Sequence, residues 1–168
     1  MNQLLIRPST EGDLNTITHI YSHHVRHSSA TFEVEPPDED EMATRRSTIL
    51  ALAMPYLVAE QDAVVLGYAY ASPYRPRPAY RFTVEDSVYV HPEHLDRGIG
   101  RALLAALIED CKQGPWRQMI AVIGDSANEA SIRLHQHFGF RTVGTLFEVG
   151  FKFDRWLDTV LMQRELRS

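Results

Sequence analysis

The stretch Val88-Tyr89-Val90-His91-Pro92-Glu93-His94-Leu95-Asp96-Arg97-Gly98-Ile99-Gly100-Arg101-Ala102-Leu103 constrains the fold more than any other part of the chain. A β-branched and aromatic run, Phe82–Val90, reads as a strand that stops at His91-Pro92. From Gly100 to Gln113 the period changes: Ile99, Leu103, Ala106, Leu107 and Cys111 fall on one helical stripe, and Gly114-Pro115 ends it. Met119–Ile123 follows as an apolar strand of the fully buried kind. A strand, a crossover helix and a second strand imply parallel pairing, and a parallel pair needs helices to cover its sheet.

The flanking sequence extends this unit on both sides. Leu4–Arg7 is a short strand, and Asp13 caps a helix with apolar residues at Leu14, Ile17, Ile20, Tyr21 and Val25. A second helix runs from about Asp38 to Leu52, before Pro55. Tyr56–Glu60 and Val64–Ala71 are strands, with Gln61-Asp62 near the turn between them. Ser72 to Arg81 is rich in proline and arginine and reads as loop. Ser126-Ala127-Asn128-Glu129 matches a capping box and opens a helix to about Phe138, with Gly139 past its end. Arg141–Phe147 and Thr159–Arg164 close the pattern as strands. The order β-α-α-β-β-β-α-β-α-β-β predicts an α/β chain with a seven-stranded mixed sheet and about four helices. Neither a repeat nor a linker divides residues 1–168, so a single domain is expected.

Charge and cysteine content narrow the function classes. The net charge of -5 repels nucleic acid at long range, although a local basic pocket can still form. The single cysteine, Cys111, excludes an internal disulfide and fits a reducing cytoplasm. Its place on an apolar stripe reads as core. The N-terminus lacks the pattern of a signal peptide, and no apolar run approaches the roughly 20 residues that span a membrane. His19, His23 and His27 stand at i, i+4 and i+8 with His24 beside them, a spacing that can bind a metal. Without a HExxH pattern a solvated helix face is expected, and no metal is assigned.

The glycine loop is the candidate binding element. Glycines admit a close backbone approach, and free N–H groups at a helix N-terminus attract an anion such as a pyrophosphate. Arg97 and Arg101 add charge at that end. A dinucleotide fingerprint needs a small third residue where Leu103 stands, and the Walker pattern needs Gly-Lys-Ser/Thr, which is absent. A glycine turn that caps a helix and binds nothing remains the plain alternative.

Arg97-Gly98-Ile99-Gly100 resembles the pyrophosphate motif of the GCN5-related N-acetyltransferases, Gln/Arg-x-x-Gly-x-Gly/Ala, with Leu95 departing at its first position. Asn128 followed by Leu134 to Phe140 resembles a second element of that family, with His135 where many relatives carry tyrosine. Further runs resemble its phosphinothricin and methionine sulfoximine acetyltransferase branch. They are Thr31–Pro36, Phe82–Val90, Ala121–Gly124, Arg133–His135 and Gly150–Asp158.

This resemblance implies the acetyltransferase fold, acetyl-CoA as co-substrate, a small amino-acid-like substrate, herbicide resistance as one consequence, and a homodimer. Transfer to an amine needs a base, because an α-ammonium with a pKa of about 8–9 cannot attack until it loses a proton. The resemblance assigns that role to Glu85, acting directly or through water. A carboxylate inside a β-branched strand is otherwise out of place, unless it faces solvent or a salt bridge. Asp86 is the rival base. The resemblance gives His135 a site role, as donor to the leaving thiolate or orienter of the base; a histidine packed on a helix face is its alternative. Val88, Tyr89 and Val90 are expected along the pantetheine arm, with the Val90 N–H as oxyanion donor. Asp96, Arg97, Gly98, Ile99, Gly100 and Arg101 would take the pyrophosphate, and Asn128 and Ser131 the lower pantetheine. Asn128 could equally be only a helix cap. Phe32, Arg75, Arg77 and Tyr80 would contact substrate, Arg75 standing where that branch usually has lysine. Two other classes stay open: an acetyltransferase for a protein N-terminus, polyamine or aminoglycoside, and a binding module that holds acyl-CoA without turnover.

Overall fold

The computed structural model describes residues 3–167. The elements follow the expected order: β1 (Leu5–Pro8), α1 (Leu14–His27), α2 (Glu39–Ala51), β2 (Tyr56–Gln61), β3 (Val64–Pro73) and β4 (Thr83–Val90) come first. Then come α3 (Ile99–Gln113), β5 (Gln118–Gly124), α4 (Glu129–His137), β6 (Arg141–Lys152) and β7 (Arg155–Glu165). The strands form one sheet in the order β1-β2-β3-β4-β5-β7-β6. Every neighbouring pair is antiparallel except β4 and β5.

Helices cover both faces. Ile99 and Leu103 of α3 press on Gly67, so close that a β-carbon there would meet them at 3.2 and 3.1 Å. The α4 side chain His135 reaches Asp86 from the same face. On the other face Tyr21 of α1 meets Tyr89 edge-on, ring centroids 5.2 Å apart, in a stack of tyrosines from β2, β3 and β4. The core fills both layers: Ile17 and Ile20 of α1, Leu103, Leu104 and Leu107 of α3, and Val58, Tyr68 and Met119 of the sheet are all buried.

Three local expectations are corrected. Asp13 does not cap α1 with its side chain; its carboxylate accepts from the Thr10 backbone N–H and is held by Arg7, which also bridges to Glu60. α4 is capped by Asn128, which accepts from the Ser131 N–H, because the Ser126 hydroxyl is spent on Asp158. β6 and β7 are much longer than read, since Phe153 and Asp154 turn the chain with φ of 54° and 57°. That is a tight hairpin built without glycine.

Two glycines shape the space near the open end of the sheet. A β-carbon on Gly124 would lie 2.2 Å from the Ser29 carbonyl oxygen, and one on Gly150 would lie 2.4 Å from the Phe32 ring. The Ser28–Pro36 loop therefore rests directly on β5 and β6 backbone. Gly124→Ala should cost about 1–3 kcal/mol in urea unfolding through overpacking. Gly144→Ala, where a β-carbon meets nothing within 4 Å, should stay within about 0.5 kcal/mol of the parent.

Candidate active site

β4 and β5 are in register over only three pairs, Thr83↔Gln118, Val84↔Met119 and Glu85↔Ile120, and then diverge. A cleft of about 580 Å³ lies along the divergence. On its other edge β4 stays paired with β3 as far as Gly67↔Val90. Residues of an antiparallel strand alternate between bonding the neighbour and facing away. The His91 N–H donates to the Leu66 carbonyl, so Val88 and Val90 turn their N–H and C=O groups toward the gap. No strand pairs with these groups, and they line the cleft, with the Val90 carbonyl oxygen met by the His24 side chain.

The loop at the mouth opens onto a helix N-terminus, an arrangement that favours an anion. Gly98 takes φ of +78° and opens α3, a conformation that a side chain would strain, and no atom lies within 4 Å of where its β-carbon would be. Asp96, Gly98, Ile99, Gly100 and Arg101 line the cleft with the first N–H groups of α3. Arg97 does not line it; its guanidinium rests on Nδ1 of His94 at 2.7 Å. Asn128 and Ser131 line the opposite wall, so the helix cap also faces the cleft.

Two carboxylates stand side by side in β4 and point to opposite faces. Glu85 is the last β4 residue paired with β5 and lies in the cleft. Burial, then the charge of Asp86, push its carboxyl up to about 7, against the opposing pull of Arg75. Asp86 is buried on the α3 and α4 face, with His135 Nε2 at 2.9 Å. His135 Nδ1 lies 2.7 Å from the Ser131 carbonyl oxygen. Burial alone would lower the His135 pKa, but the Asp86 charge and these two acceptors outweigh it and raise it. Both ring nitrogens of His135 are thus engaged by oxygen partners.

The substrate-side expectations separate into two places. Phe32 lines the cleft with Glu85, over Gly124 and Gly150. Arg75 and Arg77 instead line a cavity of about 830 Å³ beside Trp116 and the end of α3. Arg75 acts on Glu85 only through its field, and Tyr80 packs edge-on against Tyr74. The loop goes there because β3 ends at Pro73 and a short turn, Pro78–Tyr80, folds it back over the sheet end.

Two positions escaped the sequence reading. His24 Nε2 sits 2.8 Å from the Val90 carbonyl oxygen and holds the peptide group that edges the gap. Burial keeps its imidazole below the usual range. Lys152 is buried, and its ammonium donates to the carbonyls of Ser28 and Thr31, each at 2.7 Å. It thereby clamps the loop that carries Phe32. Neither signal is local, since the partners are 66 and more than 120 residues away. Replacing Lys152 by Met should leave the sheet protected while amide exchange across residues 28–34 speeds up by about tenfold or more.

Known proteins match this arrangement. The family model described as Acetyltransferase (GNAT) family covers residues 18–140. A phosphinothricin N-acetyltransferase of Alcaligenes faecalis is 56% identical over 97% of this chain and 83% of its own length. An L-methionine sulfoximine/L-methionine sulfone acetyltransferase of Salmonella typhimurium is 40% identical over 97% of this chain and 95% of its own length. The crystal structure of a GNAT superfamily phosphinothricin acetyltransferase from Sinorhizobium meliloti, in complex with acetyl-CoA, superposes with a TM-score of 0.94. It is 48% identical, over 96% of this chain and 88% of that one. With its mixed sheet parted at β4 and β5 and its glycine loop at the head of α3, the chain belongs to the GNAT acetyltransferase family.

Proposed function

We propose that the chain, as one domain, transfers an acetyl group from acetyl-CoA to the α-amino group of a small amino-acid-like substrate. L-Phosphinothricin, methionine sulfoximine and methionine sulfone are the substrates that the named relatives support. One observation carries the reading: a carboxylate raised to about 7 at the point where the two central strands part. The cleft fits the co-substrate, because its gap edge offers the Val88 and Val90 backbone groups and its mouth an open helix N-terminus.

Acetyl-CoA supplies an activated acyl thioester. The Asp96–Arg101 loop holds its pyrophosphate, Asn128 and Ser131 face the lower arm, and Val88 to Val90 extend along it. Glu85 takes the proton from the substrate ammonium, directly or through one water, and the free amine attacks the thioester carbonyl without a covalent enzyme intermediate. The C–N bond forms, the C–S bond breaks, and the proton lost by the attacking nitrogen leaves with the CoA thiolate as free thiol. The Val90 N–H donates to the oxyanion that develops on the carbonyl. His135 acts by holding Asp86 in place, since both its nitrogens are engaged. Phe32 packs against the substrate, and Arg75, whose charge reaches Glu85, attracts its acidic end at a distance; Arg77 and Tyr80 do not line the cleft and take no part in the contact.

Phe147, Val149, Phe151 and Trp156 of β6 and β7 are more than half exposed, an apolar surface suited to a second copy of the chain. No helix among the described residues is long and apolar enough to cross a membrane. The one cysteine is free and buried, in keeping with a proposed place in the reducing cytoplasm. Light scattering should return twice the 19.2 kDa chain mass, and Phe147→Asp with Trp156→Glu should return the single mass.

Thiol release from acetyl-CoA tests the chemistry. Turnover with phosphinothricin or methionine sulfoximine is expected, and Glu85→Gln should lower kcat by about 10²–10⁴-fold. Turnover confined to a polyamine or aminoglycoside would overturn the substrate class, and acetyl-CoA binding without turnover would leave a binding module. Glu85 must be ionised to accept a proton. Log kcat/KM should therefore rise with pH and lose one unit of slope near 7, a break absent from Glu85→Gln. Stability runs the other way. The native carboxyl is raised above its ordinary 4.5, so the unfolded chain ionises first as pH climbs. Wild type should match Glu85→Gln below about pH 4 and fall behind it between 4.5 and 7, by on the order of 3 kcal/mol.

A further inference from the structure

Of the α1 histidines, His23 and His27 sit beside each other, ring centroids 4.9 Å apart. The fold carries His19 instead to His91, beyond the end of β4, with near-parallel rings 5.8 Å apart. His91 leads into the short turn Pro92–His94, a 3₁₀ helix. Three residues per turn bring positions i and i+3 onto one side. His91 and His94 therefore face together, ring centroids 5.2 Å apart, with Glu93 between them in sequence. One ligand atom from each of His91, Glu93 and His94 lies within 4.8 Å of the other two.

We propose that His91, Glu93 and His94 form a binding site for a divalent transition-metal ion of the zinc, cobalt or nickel class. Two imidazole nitrogens and a carboxylate oxygen suit those ions, whereas magnesium and calcium ask for oxygen alone. Zinc holds such ligands at about 2.0–2.2 Å, so its ligand atoms sit about 4 Å or less from one another. Small rotations of these side chains close the remaining distance, and Glu93 is exposed and free to swing. His94 borders the acetyl-CoA cleft, and its Nδ1 takes a hydrogen bond from Arg97. An ion here would fasten the end of β4 to the loop that leads into Gly98. This use of the site is separate from the transfer chemistry, which needs no metal on these three residues.

Isothermal titration of zinc chloride into tag-free, chelator-washed full-length protein tests the site, with cobalt absorption as a second readout. One ion per chain in the micromolar range is expected. His91→Ala, His94→Ala and Glu93→Gln should each weaken it by about tenfold or more. The double variant His23→Ala with His27→Ala should bind as wild type does. Circular dichroism confirms that each variant is folded, and Glu93→Gln, at an exposed position, keeps the test open if a histidine variant fails to fold. Wild-type protein that takes up no zinc at millimolar concentration would overturn the proposal. So would binding lost in the His23/His27 double variant and kept in His91→Ala and Glu93→Gln.

Discussion

The short parallel contact between β4 and β5 governs the molecule. β4 is paired with β3 over seven registered positions but with β5 over only three. Past Glu85 the strands part, and the backbone groups of Val88 and Val90 have no strand to bond. Backbone donors left in a cleft require water or a ligand. A parallel pair also requires a crossover, here α3, so the start of that helix falls at the mouth of the gap. The glycine loop, the unpaired strand edge and the polar wall from α4 converge because of this one topological choice.

The strand geometry then gives two adjacent carboxylates different fates. Asp86 points into the α3 and α4 layer, where an isolated charge would be costly, and His135 meets it. Glu85 points into the opposite layer, toward the cleft, where burial and the neighbouring charge hold its proton more tightly. The Asp86 charge adds to burial in raising Glu85. Keeping Glu85 in place opposes stability at neutral pH, the kind of cost associated with functional positions.

Much of this order is legible in the sequence because it is local. The change from period two to period 3.6 at Gly98, the Gly114-Pro115 stop and the apolar β5 run give the central unit directly. Glu85 stands out because a carboxylate interrupts a β-branched strand. The β6–β7 hairpin is less legible, since Phe153 and Asp154 adopt left-handed turn angles without the glycine that usually signals them. Lys152 and His24 are silent for another reason: their partners are loop and strand carbonyls that only the folded sheet brings near. The direction taken by the Arg75–Arg77 loop likewise depends on how Pro73 and the 78–80 turn redirect the chain.

The central claim is that Glu85 titrates near neutrality inside the cleft. Carbon-detected NMR of protein labelled at the glutamate side-chain carboxyls, with Glu85→Gln assigning the signal, measures it without substrate. The account predicts a Glu85 midpoint close to 7. A midpoint near the ordinary 4.5 would contradict it and remove the case for Glu85 as the proposed base.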